Sequence, residues 1–188
     1  MEWFGPDAGR PGTKHQVVLR REGTDWILTP VAVSSGTAVR YKAYVRTDIP
    51  PLFGLKHSEF WRQGFIRQRN LTFLLVTLDK SGHEEEFKYK DHFVSPTEFQ
   101  WQSQNQTAQQ SKAGESIRDH PKMRIDVHLF VRAKGKAAEG RGALFYYLGC
   151  VDFKSWEGDK PITVMWSLKN PVPYQLWREL AVPGERIN

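Results

Sequence analysis

The string Phe99-Gln100-Trp101-Gln102-Ser103-Gln104-Asn105 concentrates more chemistry than any other part of the chain. An amide side chain carries a donor and an acceptor together, which matches the edge of a nucleobase, and an indole offers a flat face for stacking. Strand alternation offers a plainer reading, with Phe99 and Trp101 in a core while Gln100 and Gln102 bond to neighbouring backbone. The two readings are compatible, because a core role for the rings leaves the amides able to meet a ligand. Upstream, Tyr41, Tyr44, Arg46, Phe60, Trp61, Arg62, Phe65, Arg67 and Arg69 interleave rings with guanidinium groups. Stacking combined with phosphate neutralisation needs that mixture.

Patterns that would support catalysis are sparse. Asp79 followed by Glu86-Phe87-Lys88 has the acidic residue, short gap and Glu-x-Lys of Mg²⁺-dependent nucleases, and this makes a nuclease the enzymatic alternative. A charged hairpin produces the same string by chance. The Gly-Arg-Gly at 140–142 lacks the helix start that a phosphate-cradling loop requires. The six histidines fall at no metal-ligand spacing, and no nucleophile elbow is present. Cys150 is the one cysteine, which rules out an internal disulfide and a multi-cysteine zinc site. The expectation is a non-enzymatic protein with no metal and no cofactor.

The charge balance points to a polyanionic partner. Lys and Arg number 27 against 21 Asp and Glu, for a net charge of +6 and a pI near 9.5. The excess is uneven, since residues 1–70 and 121–188 are net basic while residues 71–120, with Glu84, Glu85 and Glu86, are net acidic. Folded side by side, the two basic segments would form one positive face. No apolar run approaches the roughly 18 residues of a membrane span, and Met1 is followed by Glu2 and Trp3 rather than by a secretory signal, so a cytoplasmic location is expected.

Short segments rich in β-branched and aromatic residues would position these groups. Strands are expected at Gln16 to Arg20, Trp26 to Thr29, Val39 to Val45, Leu71 to Leu78, Glu86 to Tyr89 as its hairpin partner, Arg124 to Val131, Ala143 to Phe153 and Ile162 to Leu168. Helical signals cover only Ser111 to His120, which ends at Pro121, and Tyr174 to Leu180. Residues 1–14 read as a flexible leader, Gly- and Pro-rich from Gly5 to Lys14, and 15–188 as a single domain. The predicted class is α+β and mostly β: a curved, mostly antiparallel sheet or small barrel with one or two short helices.

Several strings taken in order resemble a known family. They are Tyr44-x-Arg46, Trp61-x-x-Gly64, Leu74-Leu75-Val76-Thr77-Leu78-x-Lys80, Tyr89-x-Asp91 and Phe99-x-Trp101-Gln102-Ser103-Gln104-Asn105. Leu129-Phe130-Val131-Arg132, Phe145-x-Tyr147-Leu148-Gly149 and Pro161-Ile162 leading to Trp166-x-Leu168 complete the set. Over residues 40–176 this is similar to a domain-of-unknown-function family found at the C-terminus of bacterial helicase-like proteins and type IV restriction enzymes. That resemblance implies a defence-system module that reads 5-methylcytosine or 5-hydroxymethylcytosine in double-stranded DNA by base flipping, with a helicase or nuclease in cis or trans as its partner. A curved PUA-like or SRA-like sheet is the fold analogy. A protein-interaction module of a helicase or restriction complex is a further alternative.

A flipped base loses stacking worth a few kcal/mol, which rings and edge hydrogen bonds must restore. A 5-methyl group adds only about 1 kcal/mol of burial, so discrimination requires a fitted apolar slot. Under this reading Trp101 stacks on the base together with Tyr44 or Trp61. Asp91 accepts from the exocyclic amine, and Gln102, Ser103, Gln104 and Asn105 serve the ring nitrogen and carbonyl. Arg46, Arg67, Arg69, Lys134 and Lys136 would hold phosphates.

Overall fold

The run from Leu71 to Val76 is apolar except for Thr72, and the chain covers it on both sides. The structure, a computed structural model, describes residues 17–22, 25–30, 38–79, 91–135 and 142–184. Its strands are β1 (Val17–Glu22), β2 (Asp25–Pro30), β3 (Ala43–Tyr44), β4 (Phe65–Gln68), β5 (Leu71–Asp79), β6 (His92–Ser95), β7 (Glu98–Gln102), β8 (Asp126–Lys134), β9 (Phe145–Glu157) and β10 (Thr163–Leu168). The helices are α1 (Lys112–Arg118) and α2 (Tyr174–Trp177), and three single 3₁₀ turns lie at Arg46–Asp48, Pro50–Phe53 and Glu59–Arg62. Among the described residues β1 and β2 pair only with each other. The remaining eight strands form one sheet in the order β4-β5-β8-β9-β10-β7-β6, with β3 joined to the start of β9.

Every pairing is antiparallel except β5 with β8, which run parallel from Leu71↔Asp126 to Asp79↔Lys134. Alternation along these central strands splits the interior into two layers. Leu74 and Val76 of β5 and Val127, Leu129 and Val131 of β8 enter a first core, with Phe99, Trp101, Leu148 and Trp166. Phe73 and Leu75 of β5 and Phe130 of β8 enter a second core on the opposite face, with Trp61, Ile66, Phe145 and Tyr147. Ile117 of α1 and the C-terminal Leu180 and Val182 close the first core. Ile49 and Leu55, in and after the 3₁₀ turns, close the second.

Strong curvature brings the two ends of the sheet together. Phe65 on β4 stacks on Trp101 of β7, ring centres 5.6 Å apart and planes 25° from parallel, although four strands separate β4 from β7 in the order. Among the described residues no backbone pairing joins these ends, and the sheet they form is curled and open. The mostly-β α+β class with a curved, mostly antiparallel sheet is the observed fold, and the barrel version of it is not.

Local differences from the sequence reading have identifiable causes. The alternation from Val39 to Val45 breaks at Tyr41, whose φ of 67° turns the chain, and only Ala43 and Tyr44 pair with β9. β4 and β6, four residues each, are too short for their alternation to mark them as strands. The hairpin partner expected at Glu86 to Tyr89 and the leader at 1–14 lie outside the described residues. Gly114, which weakens the helical signal, is required by packing: a Cβ there would stand 2.3 Å from the Ala108 carbonyl oxygen. Ser111 caps α1 by accepting from Gly114 N–H at 3.1 Å. Buried His120 ties α1 to β9. Its Nε2 accepts from Phe153 N–H at 3.1 Å, so Nδ1 carries the proton and donates to the Ile125 carbonyl at 3.0 Å.

Candidate functional site

A cleft of about 230 Å³ opens where the two ends of the curled sheet approach each other. β4 pairs with β5 only from Leu71 to Leu74, so beyond Gly64 it no longer covers that edge of β5, and Leu75, Val76 and Thr77 border the cleft there. Gly64 and Phe65 form the adjacent wall. Trp101, Gln102 and Gln104, at the end of β7 and just after it, face them, and Asp91 completes the lining. An apolar floor, a stacked aromatic pair, one carboxyl group and two primary amides thus converge on one opening.

Backbone hydrogen bonds hold these side chains in place. Asp91 is buried, and its Oδ1 accepts from Gln102 N–H at 2.8 Å, which ties the carboxyl group to the end of β7. Ser103, 1% exposed, is turned inward. Its Oγ accepts from Ile162 N–H at 2.9 Å and donates to the Gln104 carbonyl at 3.2 Å, and its own N–H donates to the Ile162 carbonyl at 2.9 Å. These bonds end the strand in a fixed geometry and turn the chain so that Gln104 reaches the cleft while Asn105, exposed, lies outside its lining.

Four of the eight base-contacting candidates, Asp91, Trp101, Gln102 and Gln104, therefore meet in one place. Ser103 acts as a fastening, and Asn105 borders solvent. Tyr44 and Trp61 belong to the second core, on the opposite face of the sheet from Trp101, so neither is placed to sandwich a ring against it. Trp61 is fully buried against Phe73, and the Tyr44 hydroxyl accepts from Val39 N–H at 2.8 Å. The ring that does meet Trp101 is Phe65. Their stacked contact closes the space between them, so a planar ligand would lie against the pair rather than between its members.

The cationic candidates are dispersed. Arg67 shares the face of β4 that carries Phe65, because Ile66 between them points into the second core, and it is exposed. Arg69, in the β4–β5 turn with φ 57°, and Lys134, at the end of β8, are also exposed. Arg46 is half-buried, and its Nη1 donates to the Trp61 carbonyl at 2.7 Å and the Gln63 carbonyl at 3.3 Å. Lys136 lies outside the described residues, as do Glu86 and Lys88 of the nuclease pattern. Asp79 is the last residue of β5, opposite Lys134. No group of three or more metal-ligating side chains is found among the described residues. Nor, among them, is any helix long and apolar enough to cross a membrane.

A second polar cluster lies on the other face of the sheet. His128 Nδ1 is 2.8 Å from the Tyr147 hydroxyl and 3.6 Å from Cys150 Sγ. Burial pushes the imidazole pKa down to about 4 and raises those of the Tyr147 phenol and the Cys150 thiol. All three groups are thus held in their neutral forms, which suits packing and not nucleophilic attack.

Phe65, Thr77 and Arg132 matter to this region, although no local pattern announces their placement. Arg132 Nε donates to Thr77 Oγ1 at 2.8 Å, which links β8 to the cleft lining across 55 residues of chain. Only the Leu-Phe-Val-Arg string at 129–132 marked that arginine. No curated protein matches the sequence at the level that would establish a relative. The family described as a domain of unknown function, DUF3427, matches residues 39–180, a span from the lead-in to β3 through α2 to Leu180, and the chain belongs to that family.

Proposed function

We propose that the domain is a non-enzymatic DNA-binding module that takes a modified cytosine, rotated out of its duplex, into the cleft beside Trp101. The convergence of Asp91, Gln102 and Gln104 on an apolar floor beside the Phe65–Trp101 stack carries this reading. A cytosine presents an exocyclic amine donor, a ring-nitrogen acceptor and a carbonyl acceptor. A carboxyl group with two primary amides offers the complementary set. The cleft is smaller than the roughly 300–1,000 Å³ of pockets for drug-sized ligands, which favours a single ring system over a whole nucleotide. Val76, which shares the face of Trp101, supplies with the Phe65–Trp101 stack the apolar surface that a 5-methyl or 5-hydroxymethyl substituent requires. Exposed Arg67, Arg69 and Lys134, with the net positive charge, favour a polyanion. A helicase or nuclease acting in cis or trans fits a module whose own residues bind without cutting.

Fluorescence anisotropy with plain, 5-methylcytosine and 5-hydroxymethylcytosine duplexes at two salt concentrations tests this reading. The expected result is tighter binding to a modified duplex, and Gln104→Ala weakens that binding. Equal affinity for all three, falling steeply with salt, would leave phosphate attraction alone. Absence of binding would favour a protein-interaction module, and Mg²⁺-dependent cleavage would favour the nuclease.

A further inference from the structure

Arg46 and Arg132 come from distant parts of the chain and meet over one ring. The guanidinium carbon of Arg132 lies 4.5 Å from the centre of the Phe145 ring and that of Arg46 lies 5.0 Å from it, so the two carbons are at most 9.5 Å apart. Phe145 itself is fully buried in the second core. Their hydrogen bonds among the described residues end on uncharged oxygens: the Trp61 and Gln63 carbonyls for Arg46, Thr77 Oγ1 and the Ala143 carbonyl for Arg132. These bonds fix both planes but use only Nη1 of Arg46 and Nε and Nη1 of Arg132, which leaves further N–H donors on each. Among the described residues no carboxylate pairs with either group.

Two half-buried like charges over one apolar ring are unfavourable unless something negative joins them. Burial lowers the pKa of both guanidinium groups, and the nearness of Arg46 lowers that of Arg132 further. Both remain charged at neutral pH, because arginine titrates far above it. Hydrogen bonds connect the pair, from the second-core face, to the edge of the cleft: Arg132 bonds to Thr77, which lines it, and Arg46 bonds to the carbonyl of Gln63, the residue before Gly64 in that lining.

We propose that Arg46 and Arg132 form a two-pronged site for one phosphodiester group, the backbone phosphate beside the nucleotide whose base enters the cleft. The arginine geometry carries the oxyanion; assigning it to a nucleic-acid strand rests on the reading of the cleft given above. Guanidinium forks suit a tetrahedral oxyanion with two or more free oxygens, and a partly desolvated site strengthens each charge-assisted bond. The unbound domain holds the repulsion between the two cations, and the phosphate relieves it.

The test uses the full chain and the variants Arg132→Gln, Arg132→Lys and Arg46→Gln, with two readouts. In the first, inorganic phosphate is exchanged for chloride at constant ionic strength and the melting midpoint is followed. The midpoint should rise for the parent, rise less for Arg132→Lys, and stay unchanged for the two Gln variants. In the second, duplex affinity is measured across salt concentrations, and each Gln variant should lower the slope of log K against log salt by about 0.9 and weaken modified and plain duplexes by the same factor. A Gln variant that keeps both the phosphate response and the parental slope overturns the proposal, and so does a parent that responds to neither phosphate nor duplex. Preference for modified duplex that persists with an unchanged slope in Arg132→Gln would remove the arginine site and leave the cleft. A reduced slope in a protein that never preferred modified duplex would do the reverse. Without phosphate, Arg132→Gln should melt no lower than Arg132→Lys, since it relieves the repulsion; should it fail to fold, Arg46→Gln carries the test.

Discussion

Trp61 and Trp101 sit on opposite faces of one curled sheet, and what covers each face decides what its indole can do. On the second-core side, 3₁₀ turns and the aromatic rings of Phe73, Phe130 and Phe145 seal Trp61 completely. On the first-core side the sheet curls until its ends nearly touch, and Trp101 stands where they fail to pair, buried on most of its surface yet lining an opening. The polar groups follow the same division. His128, Tyr147 and Cys150 lie buried or partly buried beneath the sealed face and are held neutral, whereas Asp91, Gln102 and Gln104 line a cleft. Identical residue types become core or site according to whether the layer above them is complete.

The largest effect expected from this contrast belongs to the sealed face. Trp61→Ala should cost about 3–5 kcal/mol of stability, read as loss of the cooperative thermal or urea transition. A well-folded Trp61→Ala protein with altered DNA preference would break the contrast, because it would place Trp61 at the ligand.

The sealed face should also show itself in the dependence on pH. Folded His128 titrates near pH 4 because burial opposes its charge, whereas in the unfolded chain it titrates near 6.5. The unfolded state therefore binds more protons between these values. Stability is full above pH 6.5 and declines as pH falls toward 4, by on the order of 3 kcal/mol. Urea midpoints measured across that window should decline for the parent, and less steeply for His128→Phe, whatever the plateau of that variant. An identical slope in both would show that His128 is not desolvated.

Ser103 lies between the two regimes, since it is buried but fastens the site. Ser103→Ala leaves the Ile162 N–H without its side-chain acceptor and should cost about 1–3 kcal/mol, with a parallel loss of preference among duplexes as the end of β7 loosens. A loss of stability without a loss of preference would separate the fastening from the cleft. The smallest stability effect belongs to Gln104→Ala, expected to be within about 0.5 kcal/mol of the parent because the side chain is exposed. Its recognition defect should nonetheless be clear, and it is a cleaner probe than Trp101→Ala, which removes core packing and cleft lining together.

Much of the architecture was legible because it rests on local pattern. The apolar run of β5, the alternation of β8 and β10 and the Ser111-to-Pro121 bracket around α1 each report their own environment. β4 and β6 escaped because four residues are too few for alternation to emerge, and the strand expected from Val39 fails at the single dihedral of Tyr41. The cleft was legible where its residues are contiguous, from Trp101 to Gln104, and Asp91 was found through a neighbouring string. In the sequence Phe65 is one ring among many. Its contact with Trp101 comes from curvature accumulated over the strands between them, and no local pattern records that. Tyr44 and Trp61 were misplaced for the same reason, since composition cannot say which face of a sheet is covered.

Cost of extrusion offers the most direct test of the central claim. Anisotropy would compare two duplexes carrying one 5-methylcytosine, opposite guanine in the first and opposite an abasic position in the second. If the base enters the cleft of Asp91, Trp101, Gln102 and Gln104, the abasic-opposed duplex binds more tightly, because unpairing no longer opposes entry, and Gln104→Ala weakens both. Equal affinity for the two duplexes, unchanged by Gln104→Ala, would contradict the account.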